Sequence, residues 1–241
     1  SFSRRRELLQ KVGKTLIDQR QNLASIMTTE MGKRINEGLA EIDKCALVCE
    51  YYAKNSKALL KNEIIKTEAK ISYVKFDPMG VILVIMPWNF PFWQVFRAAA
   101  PAIMAGNTVL LKHASSVPEC AIAIENIFLT AGSPIGLFQN LPIAGSDTKR
   151  VIENPLVRLV SLTGSEEAGA NVASIAGKAI KRTILELGGS DPFIIMPAAD
   201  IEKVAQVAST ARMIVSGQSC IAAKRFIVHK NVVNKFTELL K

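Results

Sequence analysis

Three side chains of unlike chemistry stand in short, punctuated segments of this sequence: Cys220 in Gly217-Gln218-Ser219-Cys220, Asn89 in Pro87-Trp88-Asn89-Phe90-Pro91, and Glu186 in Leu185-Glu186-Leu187-Gly188-Gly189. A thiolate is a strong nucleophile, and a small, flexible loop before it can leave backbone N–H groups aimed at a developing anion. The Asn89 side-chain amide, held between two prolines, has the rigidity an oxyanion donor needs. Glu186 lies between two leucines, where desolvation would disfavour its ionised form and make it a useful general base. Together they supply what addition of a thiol to a carbonyl requires, and what hydrolysis requires once that adduct has lost a hydride or leaving group to become a thioester. Each also has an ordinary alternative. Cys220 reads as a small hydrophobe after a turn, Asn89 as a turn or capping residue, and Glu186 as an edge residue reaching solvent.

The elements that must position these groups are legible in the apolar pattern. Residues 4–29 and 34–58 carry apolar residues at helical spacing (Leu8, Leu9, Val12, Leu16, Ile17, then Ile42, Ala46, Cys49, Ala53), with Met31-Gly32 between them. The alternation over 66–76 predicts an edge strand or hairpin. From residue 80 the texture changes. Val81–Met86 is a continuous apolar run, as expected of a strand buried on both faces. Strands at 108–112, 137–141, 157–162, 183–186 and 193–196 then alternate with helices at 92–104, 118–131, 148–153, 166–176 and 201–215. A strand at 225–229 and a helix at 232–240 follow. This predicts an α/β fold, a Rossmann-like parallel sheet flanked by helices, with ligands bound beyond the carboxyl ends of its strands. The division of the chain is expected after residue 215.

Composition narrows the function classes. The 241 residues are 49% hydrophobic and 21% charged, in the range of globular proteins, with a net charge of +9. The basic surplus is spread along the chain and lacks aromatic interleaving, so nucleic acid is not an expected partner. Four cysteines without a Cys-x-x-Cys pair, and only two histidines, argue against a metal site. Cys45 and Cys49 fit one buried helix face, and reduced cysteines fit a cytoplasmic protein. No stretch is long enough to span a membrane. The chain opens and closes inside helical patterns, which reads as cut at both ends.

The stretch from Tyr73 to Val228 resembles the aldehyde dehydrogenase superfamily. The resemblance rests on five ordered segments: 87–91, Leu111-Lys112-His113-Ala114-Ser115, Leu162–Gly169, Leu185–Pro192 and 217–220. The Gly188–Pro192 ending and Ala222-Ala223-Lys224-Arg225-Phe226 are most similar to its succinate-semialdehyde dehydrogenase branch. That resemblance implies an oxidoreductase in which Cys220 attacks a small-molecule aldehyde, Asn89 holds the oxyanion and Glu186 activates water. It implies an NAD or NADP cofactor contacted by Trp88, Lys112, Ser115, Gly164, Ser165 and Leu187. Ser115 stands where many NAD-preferring relatives carry Glu, which favours NADP. Arg97 is implied as a clamp for the distal carboxylate of the substrate. Family members are longer, so residues 216–241 are expected to begin a catalytic domain, and the full-length protein is expected to be a homo-oligomer. Two alternatives follow from the same resemblance: a cofactor-binding module without turnover, and a CoA-acylating relative, which a general base at Glu186 disfavours.

Overall fold

A computed structural model describes all residues, Ser1–Lys241, which form two compact units, Ser1–Glu186 and Leu187–Lys241. The division falls earlier than the expected position after residue 215. The reason is a β-α-β crossover within the second unit. There β8 (Pro192–Ile195) pairs in parallel with β9 (Arg225–Val228), and α8 (Ile201–Met213) connects them. Ile195, Ile201, Ala205, Ala208 and Phe236 form its small core, completed by α9 (Val233–Leu240).

The first unit opens with three helices, α1 (Phe2–Asp18), α2 (Arg20–Met31) and α3 (Ile35–Leu59). The first predicted helix is thus two, broken at Gln19, where no glycine or proline announces the break. At the end of α2, Gly32 takes a left-handed φ of 71°, which a side chain would resist. The face of α3 turned to the core carries Gly38, Glu41, Ile42, Cys45, Cys49 and Ala53. A short antiparallel hairpin, β1 (Glu63–Ile64) with β2 (Tyr73–Val74), follows.

The remaining strands, β3 (Val81–Met86), β4 (Thr108–His113), β5 (Phe138–Asn140), β6 (Val157–Thr163) and β7 (Arg182–Glu186), form one parallel sheet in the order β5-β4-β3-β6-β7. The reversal of strand order lies between β3 and β6. Central β3 is mostly buried, whereas β7 at the edge alternates between exposed and half-buried residues. Helices α4 (Trp93–Met104), α5 (Pro118–Thr130), α6 (Thr148–Glu153) and α7 (Glu166–Lys178) connect the strands. Phe96, Phe128 and Phe138 stack in series in the core, with ring centroids 5.7 and 4.5 Å apart.

Two carboxylates from the helical layer fasten it to the α/β layer. Glu30 accepts hydrogen bonds from the N–H groups of Glu119 (2.7 Å) and Cys120 (2.9 Å) at the start of α5. Glu41 does the same at the start of α4. Both answer helix N–H donors that have no partner within the helix.

Candidate active site

Because the sheet is parallel, β3, β4, β6 and β7 finish on one edge, at Met86, His113, Thr163 and Glu186. The loop leaving β3 carries Trp88, 39% exposed, and half-buried Asn89. Fixed contacts hold the residues just after Asn89. Glu41 Oε1 accepts from the backbone N–H of Phe92 (2.9 Å) and Trp93 (2.8 Å). The buried Lys33 ammonium pairs with Glu41 and lies over the Phe90 ring, 4.3 Å from its centroid. Burial pushes the Glu41 carboxyl above its ordinary range, while Lys33 and the two N–H groups pull it back. On the other side, His113 Nδ1 accepts from Ala114 N–H (2.8 Å), so Nε2 carries the proton and donates to the Pro91 carbonyl (2.9 Å). Burial lowers the His113 pKa and favours this neutral form.

Glu186 ends β7, and its surroundings differ from the desolvated pocket expected of it. The side chain is 53% exposed, since β7 is an edge strand with no neighbour beyond it. Its carboxylate faces Arg97 of α4, with Nη1 and Oε2 3.5 Å apart. Arg97 also donates through Nη2 to Thr163 Oγ1 at 3.0 Å. The first unit therefore brings Arg97, Thr163 and Glu186 together. Thr163 was not anticipated from sequence; its place at the end of β6, in register with Glu186, is the signal that identifies it.

Lys112, the penultimate residue of β4, lines a cavity of about 460 Å³ with Ser146, Lys149, Leu162, Asn171 and Val172, among others. Two ammonium groups and no carboxylate line it, a donor set that fits a nucleotide phosphate or ribose. Ser115 lies exposed just beyond β4. Ser165 caps α7, its hydroxyl accepting from Ala168 N–H at 3.2 Å, and Gly164 N–H donates to the Glu186 carbonyl at 3.0 Å. The free N–H groups of this helix start suit an anion or a carboxamide.

Cys220 and Leu187 belong to the second unit. Cys220 is half-buried, unlike Cys45, Cys49 and Cys120, whose thiols burial pushes up. Lys224 Nζ donates to the Cys220 carbonyl (3.2 Å) and to the Gly189 carbonyl (2.7 Å), tying the cysteine to the turn after Leu187. Before the cysteine the chain runs through three left-handed residues, Val215 (φ 50°), Ser216 (φ 53°) and Gly217 (φ 81°). Helix α8 therefore stops at Met213, short of the predicted residue 215. Arg212 Nη1 donates to the Gly217 carbonyl at 3.3 Å.

No group of three or more His, Cys, Asp or Glu side chains stands together as a metal site would require, and no helix is long and apolar enough to cross a membrane.

Comparison with known proteins bears directly on these segments. A probable NADP(+) succinate-semialdehyde dehydrogenase of Synechocystis is 52% identical over 239 residues, covering 99% of this chain and 53% of that protein. The NADP(+) succinate-semialdehyde dehydrogenase of Mycobacterium avium is 46% identical over 248 residues, covering 100% of this chain and 52% of that protein. Among solved structures, succinic semialdehyde dehydrogenase from Streptococcus pyogenes in complex with NADP+ superposes with a TM-score of 0.97 at 40% identity, over 99% of this chain and 52% of that one. The chain thus spans about half the length of the relatives it matches. The family model for aldehyde dehydrogenases matches residues 1–241, and the chain belongs to the aldehyde dehydrogenase family.

Proposed function

We propose that the intact protein oxidises succinate semialdehyde to succinate with NADP, through a thioester on Cys220. The observation that carries the substrate assignment is the half-buried Arg97 guanidinium beside Glu186 and Thr163 at the carboxyl edge of the sheet. A cation there suits an aldehyde with a carboxylate at its far end. The relatives named for this reaction add support.

In this reading the Cys220 sulfur, as thiolate, adds to the aldehyde carbon. The Asn89 side-chain N–H₂ and the Cys220 backbone N–H hold the oxygen that becomes negative. Collapse of this adduct expels a hydride and leaves the thioester. A bound nicotinamide supplies the hydride acceptor. Glu186 then takes a proton from water as the oxygen attacks the thioester carbonyl, and Cys220 leaves as thiolate. The substrate carboxylate and Glu186 compete for Arg97, so substrate binding loosens the hold of Arg97 on the base.

For the cofactor, Lys112 would meet the adenosine ribose and its 2′-phosphate. Ser115 would leave that phosphate unrepelled, and Trp88, Gly164, Ser165 and Leu187 would line the remainder. The first unit would hold the nucleotide, and the second would carry the nucleophile. Self-association is supported by the exposed apolar hairpin residues Ile64, Ile71 and Tyr73.

The test follows NADPH formation by the intact protein on succinate semialdehyde and on a neutral aldehyde of equal length. Cys220→Ala should abolish both. Arg97→Ala should cost about a hundredfold on the semialdehyde and only a few-fold on the neutral substrate, the order expected for a lost charge-assisted contact. Equal losses on both would remove Arg97 from the substrate site. A hydride burst without steady turnover would mean that the thioester forms but water does not release it, which favours a CoA-acylating relative; bound NADP with no NADPH formed would favour a cofactor-binding module.

A further inference from the structure

We propose that the buried Lys33–Glu41 pair is a positioning device for the Asn89 amide, acting on the loop from beneath. The inference rests on the reading of Asn89 as the oxyanion donor.

An oxyanion donor contributes only if its N–H direction is fixed before charge develops. The start of α4 lacks a capping side chain of its own, because Phe92 occupies the cap position. The carboxylate that answers the Phe92 and Trp93 N–H groups comes instead from α3, fifty-one residues earlier in the chain for Phe92. Both members of the pair are closed to solvent, with side-chain exposures of 0% for Lys33 and 1% for Glu41. A buried ion pair adds little stability over an apolar pair of the same size. It does impose direction, since Glu41 must stay where Lys33 and two backbone N–H groups meet it. Lys33 in turn holds the Phe90 ring, the residue next to Asn89. The pair therefore grips the chain on Phe90, Phe92 and Trp93, the residues that follow half-buried Asn89 in the same loop. His113 fixes the intervening Pro91 carbonyl.

The experiment is a double-mutant cycle with Asn89 in the intact protein, read as the rate of the NADPH burst. Asn89→Ala alone should slow the burst by about a hundredfold or more, the usual cost of one oxyanion donor. The pair variant Lys33→Met/Glu41→Leu removes both charges at nearly constant volume and should slow it at least tenfold. That loss should fall on the burst rate constant at saturating aldehyde, with the aldehyde and NADP affinities and the alkylation of Cys220 by iodoacetamide little changed. Lys33→Met/Glu41→Gln keeps an acceptor for the two N–H groups and should recover most of the rate. The deciding figure is the Asn89→Ala penalty in the Lys33→Met/Glu41→Leu background, expected to shrink below about tenfold because the amide is already misplaced. An undiminished hundredfold penalty there would overturn the positioning role and leave the reading of Asn89 intact. An Asn89→Ala variant as fast as wild type would instead remove the oxyanion assignment and the inference with it. Should the Leu variant fold poorly, Phe90→Leu removes the ring under Lys33 and leaves the ion pair whole. Its effect must also be non-additive with Asn89→Ala, and strict additivity there counts against the proposal.

Discussion

The two loops that carry the candidate donor and the candidate nucleophile are fixed in opposite ways. The Asn89 loop is held from within its unit by buried groups: a lysine under Phe90, a carboxylate on two N–H groups, and a neutral histidine on the Pro91 carbonyl. The Cys220 loop is held by exposed cations, Arg212 on Gly217 and Lys224 on Cys220. Its shape comes from consecutive left-handed residues, two of them not glycine. Left-handed backbone costs an L-residue roughly 1–2 kcal/mol, and Val215, being β-branched, sits least easily there. One loop is rigid because leaving its geometry would strand buried charge. The other is shaped by strain that its surroundings must balance.

Breaking one anchor of each kind gives the largest contrast. Glu41→Ala leaves the Lys33 ammonium buried without its partner and two helix N–H groups unanswered. Removing one member of a buried ion pair destabilises by about 3–5 kcal/mol. Lys224→Met removes only an exposed ammonium from two carbonyls, and a loss of at most about 1 kcal/mol is expected. Denaturant midpoints of the intact protein, with slopes checked for constancy, compare the two. Similar losses would mean that the two loops are anchored alike.

Proton linkage separates the loops next. Burial depresses the His113 pKa below its ordinary value of 6.5. The unfolded chain therefore binds a proton at this site at a pH where the folded chain does not. The resulting stability is fully present above pH ~6.5 and declines as pH falls toward the folded pKa, with a slope of at most about 1.4 kcal/mol per pH unit. Protonation of Nδ1 would also remove the acceptor for Ala114 N–H. His113→Gln keeps a donor for Pro91 and has no such titration, so its stability should fall less than wild type between pH 7.5 and 5.5. Parallel pH curves for the two proteins would exclude His113 as the source.

Much of this frame was legible in the sequence. Continuous apolar runs such as Val81–Met86, bounded by glycine and proline, identify strands covered on both faces. Their alternation with amphipathic stretches dictates a parallel sheet with a carboxyl edge. Asn89 and Glu186 could be placed there because one lies in the short loop leaving a strand and the other ends a strand. The Lys33–Glu41 pair was not legible, because charged residues in an amphipathic helix are ordinarily solvated. Only the register of α3 betrays Glu41, which falls with Gly38, Ile42, Cys45 and Cys49 on the buried face. Glu186 misled in the opposite direction. Two flanking leucines suggested desolvation, but in a strand neighbours point to the opposite face, and β7 lies at the sheet edge. The break at Gln19 carried no composition signal at all.

The smallest effect tests whether strain in the cysteine loop serves the site or is incidental. Ile180, the residue after the α7 cap, is a β-branched residue in left-handed backbone (φ 54°), 95% exposed. Ile180→Gly should stabilise by about 1 kcal/mol, since glycine is the residue such a helix end favours. Ser216→Gly relieves the same conformation (φ 53°) at an exposed position in the cysteine loop, and a similar or smaller gain is expected. The two should part in activity. Ile180→Gly should leave the NADPH burst within about twofold of wild type. Ser216→Gly frees the loop to leave the geometry that presents Cys220, and should slow the burst several-fold while the protein becomes no less stable. A faster or unchanged burst in Ser216→Gly would mean that the left-handed run merely routes the chain from α8 to Cys220, and that the cysteine needs no more from its loop than reach.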